Sequence, residues 1–221
     1  MQGQRSTIVV ITAGEVERRV LERLPPGAPV VAADGGVDAA LALGLEVAVA
    51  VGDFDSVTDD GLAAAESAGA RVERHPAEKD ETDLELALDA ALELRADRIV
   101  VVGSAGGRLD HLLAGLLQLG AERYAGVEVD AFLGGASAHV VRGERVLAGV
   151  PGELISLLPL HGPATQVVTT GLAYPLRSET LEPGSSRGVS NVFAEPTARI
   201  AVGGGVLAAI RPGTQEKEPR P

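Results

Sequence analysis

The 221-residue sequence contains no cysteine and no tryptophan, and aromatic residues make up 2% of it. Without cysteine the chain has no disulfide bonds, no thiolate metal ligands and no cysteine nucleophile. So few aromatic rings leave no stacking platform for single-stranded nucleic acids. The formal net charge of -12 opposes sequence-independent binding to a nucleic-acid backbone. We therefore expect no nucleic-acid partner.

Lysine and long apolar runs are also scarce. Lys79 and Lys217 are the only lysines, and Lys217 lies in a polar C-terminal tail. The body of the chain thus has a single ammonium group. No apolar segment reaches the roughly 20 residues that cross a bilayer, and the N-terminus lacks a signal-peptide pattern. With 45% hydrophobic residues, enough for a sizeable core, the chain is expected to be globular and cytoplasmic, with no membrane partner.

Two carboxylates follow a predicted buried strand, Val47–Val51, in the stretch Gly-Asp-Phe-Asp-Ser at positions 52–56. If the stretch is extended, Asp53 and Asp55 point to the same side while Phe54 turns into the protein. Paired carboxylates repel unless a cation separates them, and their hard oxygens suit Mg²⁺ together with substrate phosphates. A solvated turn is the alternative, because Asp and Ser are common turn residues.

Apolar runs alternate with helical patterns over the first 120 residues. The predicted strands are Thr7–Ile11, Pro29–Ala33, Val47–Val51, Ala70–Arg74 and Arg98–Val102, and the predicted helices are Glu15–Leu24, Val37–Leu43, Asp59–Ala68, Asp83–Leu94 and a segment ending near Gly120. Strand–helix units in series predict an α/β domain with a parallel, Rossmann-like sheet. Ligands of such sheets lie at the carboxyl ends of the strands.

Further polar groups follow these strands. Asp34 follows the second strand, whereas Lys79, Asp80 and Asp83 follow the fourth. Each carboxylate also has a structural interpretation. Asp34 could cap a helix, and Asp80 and Asp83 could stabilise a helix N-terminus at the capping box that begins at Thr82. Because all of them fall at the edge that carries Asp53, the sequence favours metal-assisted phosphoryl chemistry.

A glycine-rich loop, Gly103–His111, follows the fifth predicted strand and leads into a helix. Such a turn offers free amides and a helix N-terminus to an anion. Its spacing matches neither the dinucleotide-binding nor the Walker pattern, so the loop by itself only suggests phosphate binding. His111 could equally be a structural histidine at the start of the helix.

The pattern changes beyond Glu122, where short β-rich segments follow each other closely. These segments are Val127–Phe132, Ala138–Val141, Glu153–Leu158, Gln166–Thr170, Gly188–Phe193, Ala198–Val202 and Val206–Ile210. We predict an α/β domain over residues 1–135, a small antiparallel β-sandwich domain over 145–211 and a disordered polar tail over 212–221.

These motifs resemble, in order and spacing, those of the thiamine pyrophosphokinase family. The matching stretches are Asp34–Gly36, Gly52–Ser56, Lys79–Glu85, Gly103–His111, Gly171–Leu176 and Gly188–Asn191. The resemblance implies transfer of the pyrophosphoryl group of ATP to the hydroxyl of thiamine, with release of AMP. It also implies a homodimer whose active sites lie between the α/β domain of one subunit and the β-domain of the other.

The resemblance further implies roles for single residues. Mg²⁺ would be held by Asp53, Asp55 and Asp83. The residues assigned to catalysis are Asp53, Asp55, Asp80, Asp83 and Lys79; those assigned to ATP binding are Asp34, Gly35, Gly36, Gly103, Gly106, Gly107, Arg108, Asp110 and His111; those assigned to thiamine binding are Tyr174, Ser190 and Asn191.

Three other functions fit parts of the sequence. The stretch Asp53–Val57 matches the nucleophile motif of haloacid-dehalogenase-type phosphatases. That motif normally follows the first strand rather than the third, and the late Gly-Asp-x-x-x-Asp element is absent. A pyrophosphokinase acting on a hydroxymethylpterin is the second alternative. The third is a non-catalytic sensor of nucleotide or thiamine diphosphate.

Overall fold

The structure is a computed structural model that describes residues 6–213. The chain forms two compact units. The α/β unit runs as far as Gln118 and adds Gly126–Gly134, whereas the β-rich unit takes Leu119–Ala125 and the described residues from Gly135 onwards. Of the predicted tail over 212–221, residues 214–221 lie outside the described part. Within residues 6–213, no helix combines the length and apolarity needed to cross a bilayer.

The α/β unit contains a six-stranded parallel sheet in the order β4-β3-β2-β1-β5-β6. The expected parallel sheet is thereby confirmed, and β6 extends it by one strand. Val and Ile fill the central strands because both faces of such a sheet are covered. The strands are β1 Thr7–Ile11, β2 Val30–Ala33, β3 Val47–Gly52, β4 Arg71–Arg74, β5 Arg98–Gly103 and β6 Glu128–Leu133.

Four helices accompany the sheet: α1 Gly36–Leu43, α2 Asp59–Ser67, α3 Asp83–Glu93 and α4 Leu109–Leu119. The predicted capping box is present in its forward half, because Thr82 Oγ1 accepts a hydrogen bond from the Glu85 amide at 3.2 Å. The predicted helix Glu15–Leu24 is instead a 3₁₀ helix, Arg18–Arg23. Its N-terminus has no side-chain cap, and two prolines at positions 25 and 26 follow, which cannot continue a helix.

The β-rich unit is antiparallel, as expected, with the order β7-β13-β9-β12-β8 and with β10 and β11 also paired to β9. Inward side chains of these strands form one core, as in a sandwich of strands. The strands are β7 Ala136–Val141, β8 Glu144–Ala148, β9 Leu154–Thr170, β10 Arg177–Leu181, β11 Asn191–Val192, β12 Thr197–Ala201 and β13 Gly204–Arg211.

Strand β9 is a single strand of 17 residues, where the sequence pattern predicts two shorter ones. His161 and Gln166 have positive φ angles of 59° and 52°. These irregular positions interrupt the alternation of side chains and let the strand bend between its different partners. Pro159, Gly162 and Pro163 lie between the two predicted segments, which explains why the sequence pattern predicts two separate strands.

The compact units differ from the predicted domain limits around residue 120. Arg142 fastens the segment Leu119–Ala125 to the β-rich unit, since its Nη2 donates to the carbonyls of Gly120 and Ala121 at 2.5 and 2.9 Å. Its Nη1 also lies 3.1 Å from a carboxylate oxygen of Glu122. An arginine that binds carbonyls 22 and 21 residues earlier leaves no local pattern in the sequence.

Candidate active site

Three carboxylates meet at the carboxyl edge of the parallel sheet. Asp34 follows β2, Asp53 follows β3 and Asp83 opens α3. Each offers an oxygen atom, and these atoms all lie within 4.8 Å of one another. Asp34 is 7% exposed, and the other two are half-buried. Like charges this close repel each other unless a cation lies among them.

Lys79 is the basic side chain at this group. Its Nζ lies 2.9 Å from Asp83 Oδ1 and 3.9 Å from Asp53 Oδ2, and its side chain is 10% exposed. Burial alone lowers the pKa of Lys79, but the direct interaction with Asp83 and the charges of Asp83, Asp53 and Asp34 outweigh burial and raise the pKa above its ordinary value. The ammonium is therefore charged at neutral pH.

One ammonium against three carboxylates leaves an excess of negative charge. Asp34, Asp53 and Asp83 supply only hard oxygen donors, and Mg²⁺ is bound in proteins by one or two such carboxylates together with water and substrate phosphates. Both the charge and the chemistry of the donors fit a divalent cation. The residues at this edge of the sheet are therefore suited to a metal ion and to the phosphates that it would bind.

The loop after β3 departs from the extended form expected for it. Phe54 has a φ angle of 62°, in the left-handed region, so Asp53 and Asp55 are not placed on the same side as they would be in an extended strand. Asp55 is exposed, and its Oδ1 accepts a hydrogen bond from Ser56 Oγ at 2.7 Å. The group of three carboxylates thus includes Asp34 and does not include Asp55. Phe54 packs against the core, as expected.

Gly35 and Gly36 are packed against the neighbouring loops and do not lie on an open surface. A Cβ at Gly36 would lie 2.1 Å from the carbonyl oxygen of Ile11, and one at Gly35 would lie 3.0 Å from that of Ser56. Both are buried. These glycines let the start of α1 press against the neighbouring loops, which fixes the position of Asp34.

The glycine-rich loop has a buried beginning and an exposed end. A Cβ at Gly103 would lie 2.3 Å from Thr12 Oγ1, whereas Gly107 has open space around it and a φ angle of 87°. The Gly106 amide donates to Ser104 Oγ at 3.0 Å. The loop therefore presents the start of α4, rather than its first glycine, to solvent.

Arg108 and Asp110 form an exposed ion pair at this helix start, with Arg108 Nη2 2.7 Å from Asp110 Oδ2. The hydrogen bond from Arg108 lowers the pKa of Asp110 to about 2. His111 is exposed, as is Asp80 in the loop before α3. Exposed ion pairs contribute little stability, so Arg108 is available to an anionic ligand.

The β-rich unit has a pocket of about 420 Å³ lined by Tyr174 and by residues 185–191. The three residues assigned to thiamine binding all line it. The Tyr174 side chain is largely exposed. Ser190 has a φ angle of 56°, its amide donates to Ser156 Oγ at 3.0 Å, and the residue is exposed.

Asn191 lines the pocket but is almost fully buried. It is 3% exposed. Its Nδ2 donates to the carbonyl of Tyr174 at 2.7 Å, and its Oδ1 accepts from the amides of Tyr174 and Val192 at 3.0 and 2.8 Å. The side-chain amide thus closes a ring of hydrogen bonds with the backbone of Tyr174. Asn191 holds the tyrosine in place from within the protein.

The sequence did not point to Arg187, which also lines the pocket. Its Nε donates to Glu179 Oε2 at 2.8 Å. This chain has many surface arginines, and neither the spacing nor the neighbours of Arg187 distinguish it from the others. Only the folding of β10 beside the loop over 185–191 reveals its place.

Two family models match the chain. The catalytic domain of thiamin pyrophosphokinase matches residues 27–129, and the vitamin B1 binding domain of thiamin pyrophosphokinase matches residues 139–207. The thiamine pyrophosphokinase of Bacillus subtilis is 31% identical over 188 residues, which cover 80% of this chain and 84% of that protein.

Solved structures agree with this match. The crystal structure of thiamine pyrophosphokinase from Bacillus subtilis has a TM-score of 0.82 at 26% identity, covering 95% of this chain and 99% of that one. The enzyme from Geobacillus thermodenitrificans has a TM-score of 0.79 at 27% identity, covering 96% of this chain and 99% of that one. With both domain models and nearly the whole fold matched, the chain belongs to the thiamine pyrophosphokinase family.

Proposed function

We propose that this protein transfers the pyrophosphoryl group of ATP to the hydroxyl of thiamine, giving thiamine diphosphate and AMP. The observation that carries the proposal is the group of Asp34, Asp53 and Asp83 with Lys79, which lies within the part matched by the catalytic-domain model. Family membership favours this reaction over the phosphatase, the pterin pyrophosphokinase and the non-catalytic sensor.

The proposed metal is Mg²⁺, held by Asp34, Asp53 and Asp83. When bound, it would neutralise the phosphates of ATP and stabilise the charge that develops during transfer. The exposed carboxylate of Asp55 lies in the same loop but outside this group. We propose that Asp55, which the family resemblance assigns to the metal, would add its negative charge to the site when the metal is bound.

Positive charge for the phosphates comes from few residues in so acidic a protein. Lys79 is proposed to contact them beside the metal, since its raised pKa keeps it charged. Arg108 would exchange Asp110 for a phosphate, helped by the exposed amides at the start of α4. Asp110 and His111 would border the nucleotide, and Asp80 would lie beside Lys79.

The hydroxyl of the acceptor must lose its proton when the new O–P bond forms. Lys79 does not fit the role of base, because its pKa lies above the ordinary lysine value and a general base works best with a pKa near the operating pH. A carboxylate at this edge of the sheet is proposed to take the proton instead. Lys79 then acts as a fixed cation.

Thiamine is proposed to lie against the pocket of the β-rich unit. Tyr174 would offer a ring face to the cationic thiazolium, and the Ser190 hydroxyl would bond the aminopyrimidine. As the family resemblance implies, we propose a homodimer in which these residues act with the acidic group of the partner subunit. The predicted cytoplasmic location stays a prediction.

Replacing Asn191 with alanine should raise the KM for thiamine about tenfold and change the KM for ATP less than about twofold, because acceptor binding alone is disturbed. The reason is the loss of both hydrogen bonds that hold the Tyr174 backbone. Steady-state kinetics with each substrate varied measures the two constants.

A double mutant shows whether Asn191 acts through Tyr174. In a Tyr174→Ala background, Asn191→Ala should add little to the KM for thiamine, because interacting residues are not additive. If the two effects multiply independently, Asn191 binds the acceptor by itself, and its proposed positioning role is wrong.

The transferred group is tested with ATP labelled at the β-phosphorus. We expect the label in thiamine diphosphate together with one equivalent of AMP, and no product when a chelator removes the metal. The same assay with a hydroxymethylpterin as the acceptor should give no transfer. ADP as the stoichiometric product, or transfer to the pterin alone, would contradict the proposed reaction.

A further inference from the structure

We propose that Asp38 is a positioning residue that holds the metal ligand Asp53 in place without touching the metal. It acts through the acidic loop, defined here as residues 52–58, which connects β3 to α2. This inference rests on the metal site proposed above. It extends that site to a carboxylate that neither the family motifs nor the acidic group itself includes.

Asp38 lies in the first turn of α1 and binds Thr58, the last residue of the acidic loop. Its Oδ2 accepts a hydrogen bond from the Thr58 amide, and its Oδ1 accepts one from Thr58 Oγ1, both at 2.8 Å. Thr58 Oγ1 in turn accepts from the Gly61 amide at 3.1 Å and caps α2. The carboxylate thus joins the starts of two helices.

The contact leaves no free space. A Cβ at Gly61 would lie 1.9 Å from Asp38 Oδ1, so only glycine fits where the carboxylate meets α2. An exposed acid that merely complements a helix N-terminus needs no such fit. The close approach indicates that Asp38 connects α1 to the acidic loop through its hydrogen bonds with Thr58.

The near end of the loop is fastened by the same helix start. The Asp34 amide donates to the carbonyl of Val51 at 2.9 Å, and Asp34 Oδ1 accepts from the Ser56 amide at a long 3.5 Å. Asp34 precedes α1, and Asp38 lies one turn further along. The residue before the acidic loop and positions 56 and 58 within it are therefore all held by the five consecutive residues 34–38.

The loop needs this support for two reasons. Phe54 has a left-handed φ of 62°, which is unfavourable for a residue with a side chain and persists only where the surroundings impose it. In addition, Asp53 is held near two other carboxylates, which repel it in the absence of metal. Loss of the Asp38 contact would let Asp53 move away from Asp34 and Asp83.

The test measures Mn²⁺ affinity by electron paramagnetic resonance of the free ion, together with hydrogen exchange of the loop. Asp38→Ala should weaken Mn²⁺ binding by about 10- to 100-fold, as changes to residues that support metal ligands do, and should speed amide exchange over residues 53–57. Asp38→Asn should behave nearly as the wild type, because its amide can accept from the Thr58 amide and donate to Thr58 Oγ1.

Asp60→Asn is the matched control, since it removes one nearby charge from the first turn of α2 without changing the hydrogen bonds between Asp38 and Thr58. It should change neither Mn²⁺ affinity nor exchange. Unchanged affinity and exchange in Asp38→Ala would overturn the proposal. The proposal would also be overturned if Asp38→Asn bound Mn²⁺ as weakly as Asp38→Ala while its loop exchanged amide hydrogens at the wild-type rate. That result would show that the charge of Asp38 matters, not its hold on the loop.

Asp53→Asn in the same titration separates this inference from the proposed function. If Asp53→Asn binds Mn²⁺ like the wild type, the proposed metal site is wrong. If it loses Mn²⁺ while Asp38→Ala keeps both affinity and slow exchange, only the positioning role is wrong. Should Asp38→Ala not fold, Thr58→Ala compared with Thr58→Ser makes the same test, with weakened Mn²⁺ binding expected for alanine alone.

Discussion

Replacement of Asp53 by asparagine is expected to lower kcat by about 10³-fold, since neutralisation of phosphoryl charge by a metal is worth several kcal/mol and each 1.36 kcal/mol is a factor of ten. The melting temperature should hardly change. Asparagine keeps the shape of the side chain and its acceptor for the Asp55 amide, and the loss of one charge relieves repulsion within the acidic group. Turnover assays and calorimetry measure the two effects.

The neighbouring acids supply the controls. Asp83→Asn should resemble Asp53→Asn, whereas Asp55→Asn should cause a smaller loss because its carboxylate lies outside the group of three. Asp60→Asn should have no effect. A fully active Asp53→Asn enzyme with normal Mg²⁺ dependence would remove Asp53 from the metal site.

Mixing two inactive variants is expected to restore activity to about a quarter of the wild-type level, from random exchange in a symmetric two-site dimer. One variant carries Asp53→Asn, and the other carries alanine at both Ser190 and Asn191. If each site combines the acidic group of one subunit with the pocket of the other, a heterodimer has one site with both halves intact. Activity is measured after mixing at a thiamine concentration below the wild-type KM, where the double-alanine variant has almost no activity.

The complementation needs proof that subunits exchange. Native mass spectrometry of differently tagged subunits provides it. Each variant alone, and the mixture before exchange, should remain inactive. Exchange without recovered activity would place each site within a single chain and refute the proposed sharing.

The sequence predicts that the acidic residues lie at one edge of the sheet, because the apolar segments that form the strands show where each strand ends. Strand β1 has the predicted bounds, and the carboxyl ends of β2, β3 and β4 gather at one edge whatever the detail of their loops. A buried strand of Val and Ile is a local property. The meeting of Asp34 with Asp53 follows from it by sheet geometry alone.

The side chains that complete the site depend on conformation that no local pattern reveals. Because Phe54 has a left-handed φ angle, Asp55 does not share a side with Asp53 as expected. Nothing in the stretch Gly-Asp-Phe-Asp-Ser predicts this angle. Asn191 is a residue type that often binds ligands. Its side chain is nevertheless buried against the backbone of Tyr174, 17 residues earlier, and the sequence does not reveal this contact. Asp38 looks like an ordinary acid in the first turn of a helix until Thr58 is brought to it.

The position of β13 determines when the β-rich unit can fold. This strand, Gly204–Arg211, pairs with both β7 and β9 and thus lies between strands that the ribosome makes much earlier. The parallel sheet is complete once β6 has been synthesised, since all six of its strands precede Gly135. Domains tend to fold as units in the order of synthesis, and pairings between distant segments are slow to form. All strands of the parallel sheet are therefore available before β13 is made, whereas the antiparallel sheet has a gap between β7 and β9 until β13 has been synthesised.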